Sequence, residues 1–398
     1  MIPDKVKRRA RWVLDTLGAT GTRLGDDVPY DPEAWEQVDH CERPRHDLLA
    51  QAFFDLARIE ERGAAGDAHA RFLGAASVLD PLDPPLERLR AELGIEPPRW
   101  GGARFAIALT HDVDVPWKWT PIGIRGAGAR LKDAVAARHG RAAVHEARAL
   151  AGLPVHRLRG TDPNWSFDRV FDLELERGAR STFFVMAGHR HRADGAAPEA
   201  YERLRPQLIA TLQERDGEVG LHGSYTAAAD PDILAAEQQR LEGLAGPLAG
   251  QRYHYLRIRP HENLATLAQH GFRYDSTLGF PDTPGFRAGI AHPFRPWDLA
   301  SDRPLDVIEV PLALMDVSFD DRYLGLPARQ AEGHVLALVE WAAEHGGGFA
   351  VLWHTDRFDR WTAAGWDRLY ARLIDAVHDH GGACVSAGEL ALQAEARL

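Results

Sequence analysis

Short apolar runs that end in polar, chemistry-bearing residues alternate, along residues 105–386, with longer segments of helical period. The first run, Phe105-Ala106-Ile107-Ala108-Leu109, leads into Thr110-His111-Asp112-Val113-Asp114. Thr182–Ala187 then leads into Gly188-His189, and Glu218–Leu221 into His222-Gly223-Ser224-Tyr225. Further strands are predicted over Tyr253–Arg257, Tyr274–Thr277, Ile308–Leu312, Phe349–His354 and Ala383–Ser386. Helices are predicted between them over Phe167–Gly178, Tyr201–Gln213, Pro231–Leu244, Gln330–Glu344 and Ala363–His378. Start signals stand at Ser166, at Asp230 followed by Pro231, and at Thr362. Strand, polar tip and helix, repeated about seven times, predict an α/β fold of distorted (β/α)7-type barrel architecture. Chemistry in such a barrel sits where strands end and helices have not begun.

The first hundred residues follow another pattern. Val6–Leu17 and His46–Arg62 are amphipathic helical segments, and Pro81-Leu82-Asp83-Pro84-Pro85 and Pro97-Pro98 break the chain before the first barrel strand. This predicts a small helical N-terminal region over 1–97 and a barrel over 98–398. Asp67, His69 and Arg71 cluster in the first of these, where a surface cap is the expected reading. The Ala/Arg-rich stretch Arg125–Arg159 is expected to be a mobile insertion over the barrel mouth.

Composition narrows the classes of function. With 47 Lys and Arg against 58 Asp and Glu, the net charge of -11 argues against nucleic acid or an anionic membrane as a general partner. Lys5–Arg11 and Arg125–Arg159 are basic exceptions, expected to be solvated helix faces. The two cysteines, Cys41 and Cys384, have no metal-site or disulfide spacing. Neither a signal-peptide pattern nor an apolar run of ~18 residues is present, so a cytoplasmic protein with no membrane span is expected.

Strand alternation puts Asp112 and Asp114 on one face at the exit of the first strand and turns His111 away. Two carboxylates so placed suit a metal ligand and a general base; the alternative is a strand-ending turn with a solvated second Asp. Trp117, Trp119, Trp165, Trp297 and Trp353 lie near presumed barrel-mouth segments, where a flat ring can stack on a sugar face. Plain packing is the expectation for any single one of them.

The ordered set Thr110-His111-Asp112-Val113-Asp114, Ser181-Thr182-Phe183-Phe184, Glu218-Val219-Gly220-Leu221-His222, His254-Tyr255-Leu256-Arg257 and Leu352-Trp353-His354 resembles the polysaccharide deacetylases. This is the carbohydrate esterase family 4 or NodB homology domain. Asp162–Asp168, Tyr274–Phe280 and Gly285-Phe286-Arg287-Ala288-Gly289 look like a divergent branch associated with surface-polysaccharide synthesis. Asp47–Phe54 with Glu60-Glu61 looks like the N-terminal region that accompanies it. The resemblance implies metal-dependent N-deacetylation of an N-acetylamino sugar in a glycan or glycan precursor, with a divalent metal, zinc by preference. It implies Asp112 as general base, Asp114 and His222 as metal ligands, Arg257 as the residue orienting the base, and His354 as the acid for the departing amine. Asp275 matches a late acidic motif supporting the catalytic pair, and a routine turn is the equal alternative. Trp353 and Tyr225 are the candidate substrate contacts.

The family carries a second His four residues after the first, whereas Thr226 stands at that spacing here. His254 is the first candidate for the third ligand and His111 the second; His189, His191 and His292 rank below them. The departure keeps open a catalytically degraded barrel that binds sugar or serves as a scaffold in polysaccharide assembly. A hydrolase on a small non-sugar amide is a third reading.

Overall fold

In the computed structural model, residues 2–19, 21–188, 191–195, 198–359 and 362–398 are described, without the side chains of 198–200. Eight parallel strands run in chain order as β1 (Ala106–Val113), β2 (Thr182–Met186), β3 (Glu218–Gly223), β4 (Gly250–Tyr253), β5 (Tyr274–Asp275), β6 (Ile308–Glu309), β7 (Leu312–Met315) and β8 (Gly348–Leu352). They form one curled sheet in the spatial order β6-β5-β4-β3-β2-β1-β8-β7, and a short β9 (Ala383–Val385) joins β1. The two edges of this open sheet, β6 and β7, are separated in the chain by Val310 and Pro311 alone. The Val310 amide donates to the Asp275 carbonyl on one side, and the Pro311 carbonyl accepts from Ala350 on the other. Pro311 has no N–H to continue a ladder, so one stave breaks there and serves both edges. Counting β6 and β7 as that stave gives the seven of a distorted (β/α)7 barrel.

The period of two sorts the side chains. Ala106, Ala108, Phe184, Tyr274, Ile308, Val310, Leu312, Ala350 and Leu352 pack into the barrel interior, whereas Ile107, Leu109, Phe183, Leu221, Phe349 and Val351 meet the surrounding helices. Those helices include Phe167–Leu175, Pro198–Glu214, Pro231–Ala245, Pro260–Gln269, Ala328–His345 and Trp366–Asp379. Asp230 caps its helix as expected, accepting from Asp232 and Ile233. Ser166 does not cap, because its hydroxyl is committed to the Thr355 carbonyl. Thr362 bonds to Asp359 instead, and its helix starts later, at Trp366.

One sequence reading needs correction, and a second, the Arg125–Arg159 insertion, resolves into defined helices. The fourth strand ends at Tyr253, since Tyr255 and Leu256 take left-handed backbone (φ 65° and 53°) that no strand accommodates. The stretch Arg125–Arg159 is a hairpin of two helices, Pro121–Ala136 and Gly140–Arg159. Trp119, Ala127 and Ala149 close its base, and Asp162 accepts from the Lys118 and Trp119 amides.

The N-terminal helices Asp4–Leu17, Pro32–Asp39, Leu48–Leu56 and Pro85–Glu92 share a continuous apolar core with the outer layer of the barrel. A buried ion network fixes the contact. Arg287 donates through Nε (2.9 Å) and Nη2 (2.6 Å) to the two oxygens of Glu61, which also accepts from Arg58.

Candidate metal centre

β1 delivers both of its carboxylates to the barrel's carboxyl end. Asp112 is buried and accepts from the guanidinium of Arg252 at 2.9 Å; the same nitrogen reaches the Thr110 hydroxyl at 2.8 Å. Arg252 stacks over Phe184 and donates its other N–H groups to the Ser276 carbonyl and hydroxyl. Its bonds therefore hold the orientation of Asp112 from across the barrel.

Asp114, two residues on, is more open, with 30% of its side chain exposed. Its Oδ1 lies 3.1 Å from His222 Nε2 and its Oδ2 3.5 Å from His254 Nε2. His354 Nε2 approaches the same carboxylate at 4.0 Å. Each imidazole is anchored through its other nitrogen: His222 to the Arg252 carbonyl (2.9 Å), His254 to Asp194 (3.0 Å) and His354 to Asp316 (2.7 Å). With Nδ1 given to such a partner, Nε2 is the nitrogen turned toward Asp114, able to ligate a metal in His222 and His254 once unprotonated and to carry a proton in His354.

Asp114, His222 and His254 present ligand atoms that all lie within 4.8 Å of one another. Two donors on one tetrahedral ion at ~2.1 Å sit ~3.4 Å apart, close to the separations found. Two imidazoles and one carboxylate, with acceptors behind the rings, are a donor set that fits a divalent metal and leaves coordination positions for water and substrate.

Charge follows from this crowding. Burial alone would raise the Asp114 carboxyl, but His254 and His222 beside it hold it well below the usual carboxylate range. Burial would likewise lower His254 and His354. Asp114 and Asp194 instead raise His254 to about 9, and Asp316, assisted by Asp114 and Asp112, raises His354 to about 10.

Several expected residues lie elsewhere. Arg257 does not touch Asp112; it donates to the Tyr225 carbonyl at 2.6 Å and covers that ring, beyond the left-handed pair. Arg252, in phase with His254 by strand alternation, holds the position expected for it. Asp275 is correspondingly out of phase with inward-facing Tyr274. It is buried behind the sheet with Gln251, Thr277 and Glu309, and burial plus the Asp275 charge pushes the Glu309 carboxyl well up. Trp353 precedes inward-facing His354 and so packs outward on Trp366 and Tyr370. His111 also faces outward, to the Trp353 carbonyl, Glu174 and Tyr370. Trp297 lies against Trp12 and Phe53, Trp119 is buried at the hairpin base, and Trp117 meets Trp165 edge to face. His292 is buried beside Arg90, and His189 lies outside the described residues.

Tyr225 stands at the rim. Its ring stacks on His191 (4.4 Å) and meets Tyr255 edge to face, and Tyr255 in turn touches His254. His69 reaches the Tyr225 hydroxyl at 3.3 Å, and Arg71 bonds Asp67 and the Tyr323 hydroxyl. The cluster expected to be a plain surface cap thus forms part of the site's wall. Thr226 bonds Ser224 in the turn after β3. Asp194, Asp316 and Arg252 escaped sequence reading. Arg252 carried a signal in its i, i+2 spacing to His254, and Asp316 in following the apolar run Leu312–Met315. Asp194 closes a single 3-10 turn, Arg192–Asp194, that no apolar run announces.

No family model matches the chain, and no curated protein matches it. Among solved structures, it is similar to a probable polysaccharide deacetylase from Pseudomonas aeruginosa PAO1, at 18% identity and TM-score 0.49 over 75% of this chain and 94% of that one. PuuE allantoinase gives 17% identity and TM-score 0.49 over the same shares. The peptidoglycan deacetylase PdaC from Bacillus subtilis gives 14% and 0.34 over 58% of this chain and 86% of that one.

Proposed function

We propose that the chain is a metal-dependent hydrolase of an amide carbon–nitrogen bond, a divergent polysaccharide-deacetylase-like enzyme that removes acetyl from an N-acetylamino sugar. The observation that carries this reading is the convergence of His222, His254 and His354 on Asp114, with Asp112 alongside. Asp114, His222 and His254 are the proposed metal ligands, and the nitrogen-rich set suits zinc. A divalent ion there supplies Lewis-acid polarisation of the amide carbonyl and a lowered pKa for bound water.

The remaining steps belong to side chains. Asp112, oriented by Arg252, takes the proton of the attacking water. His354, held protonated by Asp316, donates to the departing amine nitrogen. Tyr225, whose ring faces are taken by His191 and Arg257, would meet a sugar through its edge and hydroxyl, beside Tyr255 in the same wall. A glycan precursor, lipid-linked or nucleotide-linked, is the proposed substrate. The test incubates metal-loaded protein with such N-acetylamino sugars and measures acetate and free amine. Metal-dependent, chelator-sensitive release of both in equal amounts is expected. Tight binding of the sugar with metal present and no acetate released would overturn the catalytic reading in favour of a binding protein.

A further inference from the structure

The helical hairpin Pro121–Ala136 and Gly140–Arg159 carries a surface that the barrel does not use. Between residues 121 and 160 there are eight Lys and Arg against Asp133 and Glu146, a local charge of +6 in a chain of net charge -11. Arg130 is paired with Glu146, and Arg141 with Asp321. Arg125, Lys132, Arg138, Arg157 and Arg159 are exposed and form no ion pair among the described residues.

The second helix is apolar on two faces. Ala149, Gly152, Leu150 and Leu153 turn inward toward Trp119 and Ala127. Val144, Ala147, Ala151, Val155 and Leu158, spaced three and four apart, form a continuous outward stripe. Leu158 is 89% exposed, and Val144 and Val155 are each about half exposed. On the first helix Ile122 and Val135 are also exposed, beside Arg125 and Lys132.

The hairpin stands at the catalytic end of the barrel. It leaves β1 just after Asp114, and its second helix is tied at Arg141 to Asp321, which follows the turn Asp316–Phe319 behind His354.

We propose that this hairpin docks the protein on the surface of an anionic lipid bilayer, with the Val144–Leu158 stripe in the interface and the unpaired cations on the headgroups. A helix with an apolar stripe edged by Arg and Lys lies in the plane of such an interface, and each surface cation adds attraction that salt screens. Each cation of the other basic stretch, Lys5–Arg11, is paired with an acid, and the rest of the chain is strongly acidic, so the electrostatic preference falls on the hairpin. The inference does not depend on the reaction catalysed.

Flotation with phosphatidylcholine vesicles, with and without phosphatidylglycerol, tests it on the full chain. Binding is expected to the mixed vesicles only, and to weaken at high salt. R125E/K132E and V155D/L158D should each lower the bound fraction by about tenfold or more, with unchanged circular dichroism and metal content. Equal binding to neutral vesicles, or no binding by folded wild-type protein, would overturn the proposal. So would a dimer that V155D/L158D dissociates, because the stripe would then be a contact between copies.

Discussion

Asp112 and Asp114 have similar chemistry and, on this account, different tasks. Asp112→Asn should keep the bound metal and lower turnover by ~10²–10⁴, since it removes proton transfer and spares every ligand. Asp114→Asn and His222→Ala should lose metal; elemental analysis of the purified variants separates the cases, and equal metal loss in all three would remove the distinction. Asp194 acts through His254, so Asp194→Asn should weaken metal affinity by ~10–100-fold, read by competition with a chromogenic chelator. Arg252→Gln should depress kcat far more than Arg257→Gln, because Arg252 bonds the proposed base whereas Arg257 bonds the Tyr225 carbonyl. Comparable losses would return Arg257 to the role that the family pattern implies.

At the scale of elements, the strand ends were legible because alternation fixes which residues share a face. Asp112, Asp114, His222, His254 and His354 follow from short apolar runs that end in polar residues. Alternation was also the rule that misplaced residues violate. Asp275 and Trp353 each neighbour an inward residue, Tyr274 and His354, and so face outward. Arg257 escaped because the left-handed Tyr255 and Leu256 end the strand's phase, which no local propensity announces for a Tyr-Leu pair. The hairpin was hidden by composition: Ala/Arg-rich sequence satisfies helix propensity and mobile linker alike until packing around Trp119 selects the helix. Breaking that packing with Ala149→Asp should unfold the hairpin and leave the barrel's metal content intact, checked by limited proteolysis between residues 121 and 160.

Across the whole molecule, the N-terminal helices are joined to the barrel by the Arg58–Glu61–Arg287 network, whose side chains are almost wholly buried. Burial alone would raise the Glu61 carboxyl, but Arg287 and Arg58 bring it down to about 2. A depressed carboxyl contributes stability above its unfolded value of ~4.3 and loses it as pH falls toward 2. Melting temperature should therefore drop across that window, and Glu61→Gln should flatten the drop while costing ~3–5 kcal/mol at neutral pH through its uncompensated buried cations. A parallel pH profile for wild type and variant would contradict the assignment.

In the proposed centre His254, just past the end of the strand beside that of His222, stands in for the histidine absent at Thr226. Elemental analysis of wild-type and His254→Ala proteins, purified side by side and both shown to be folded, tests it most directly. Stoichiometric divalent metal is expected in the wild type, and its loss from the variant. Full metal occupancy in His254→Ala would contradict it.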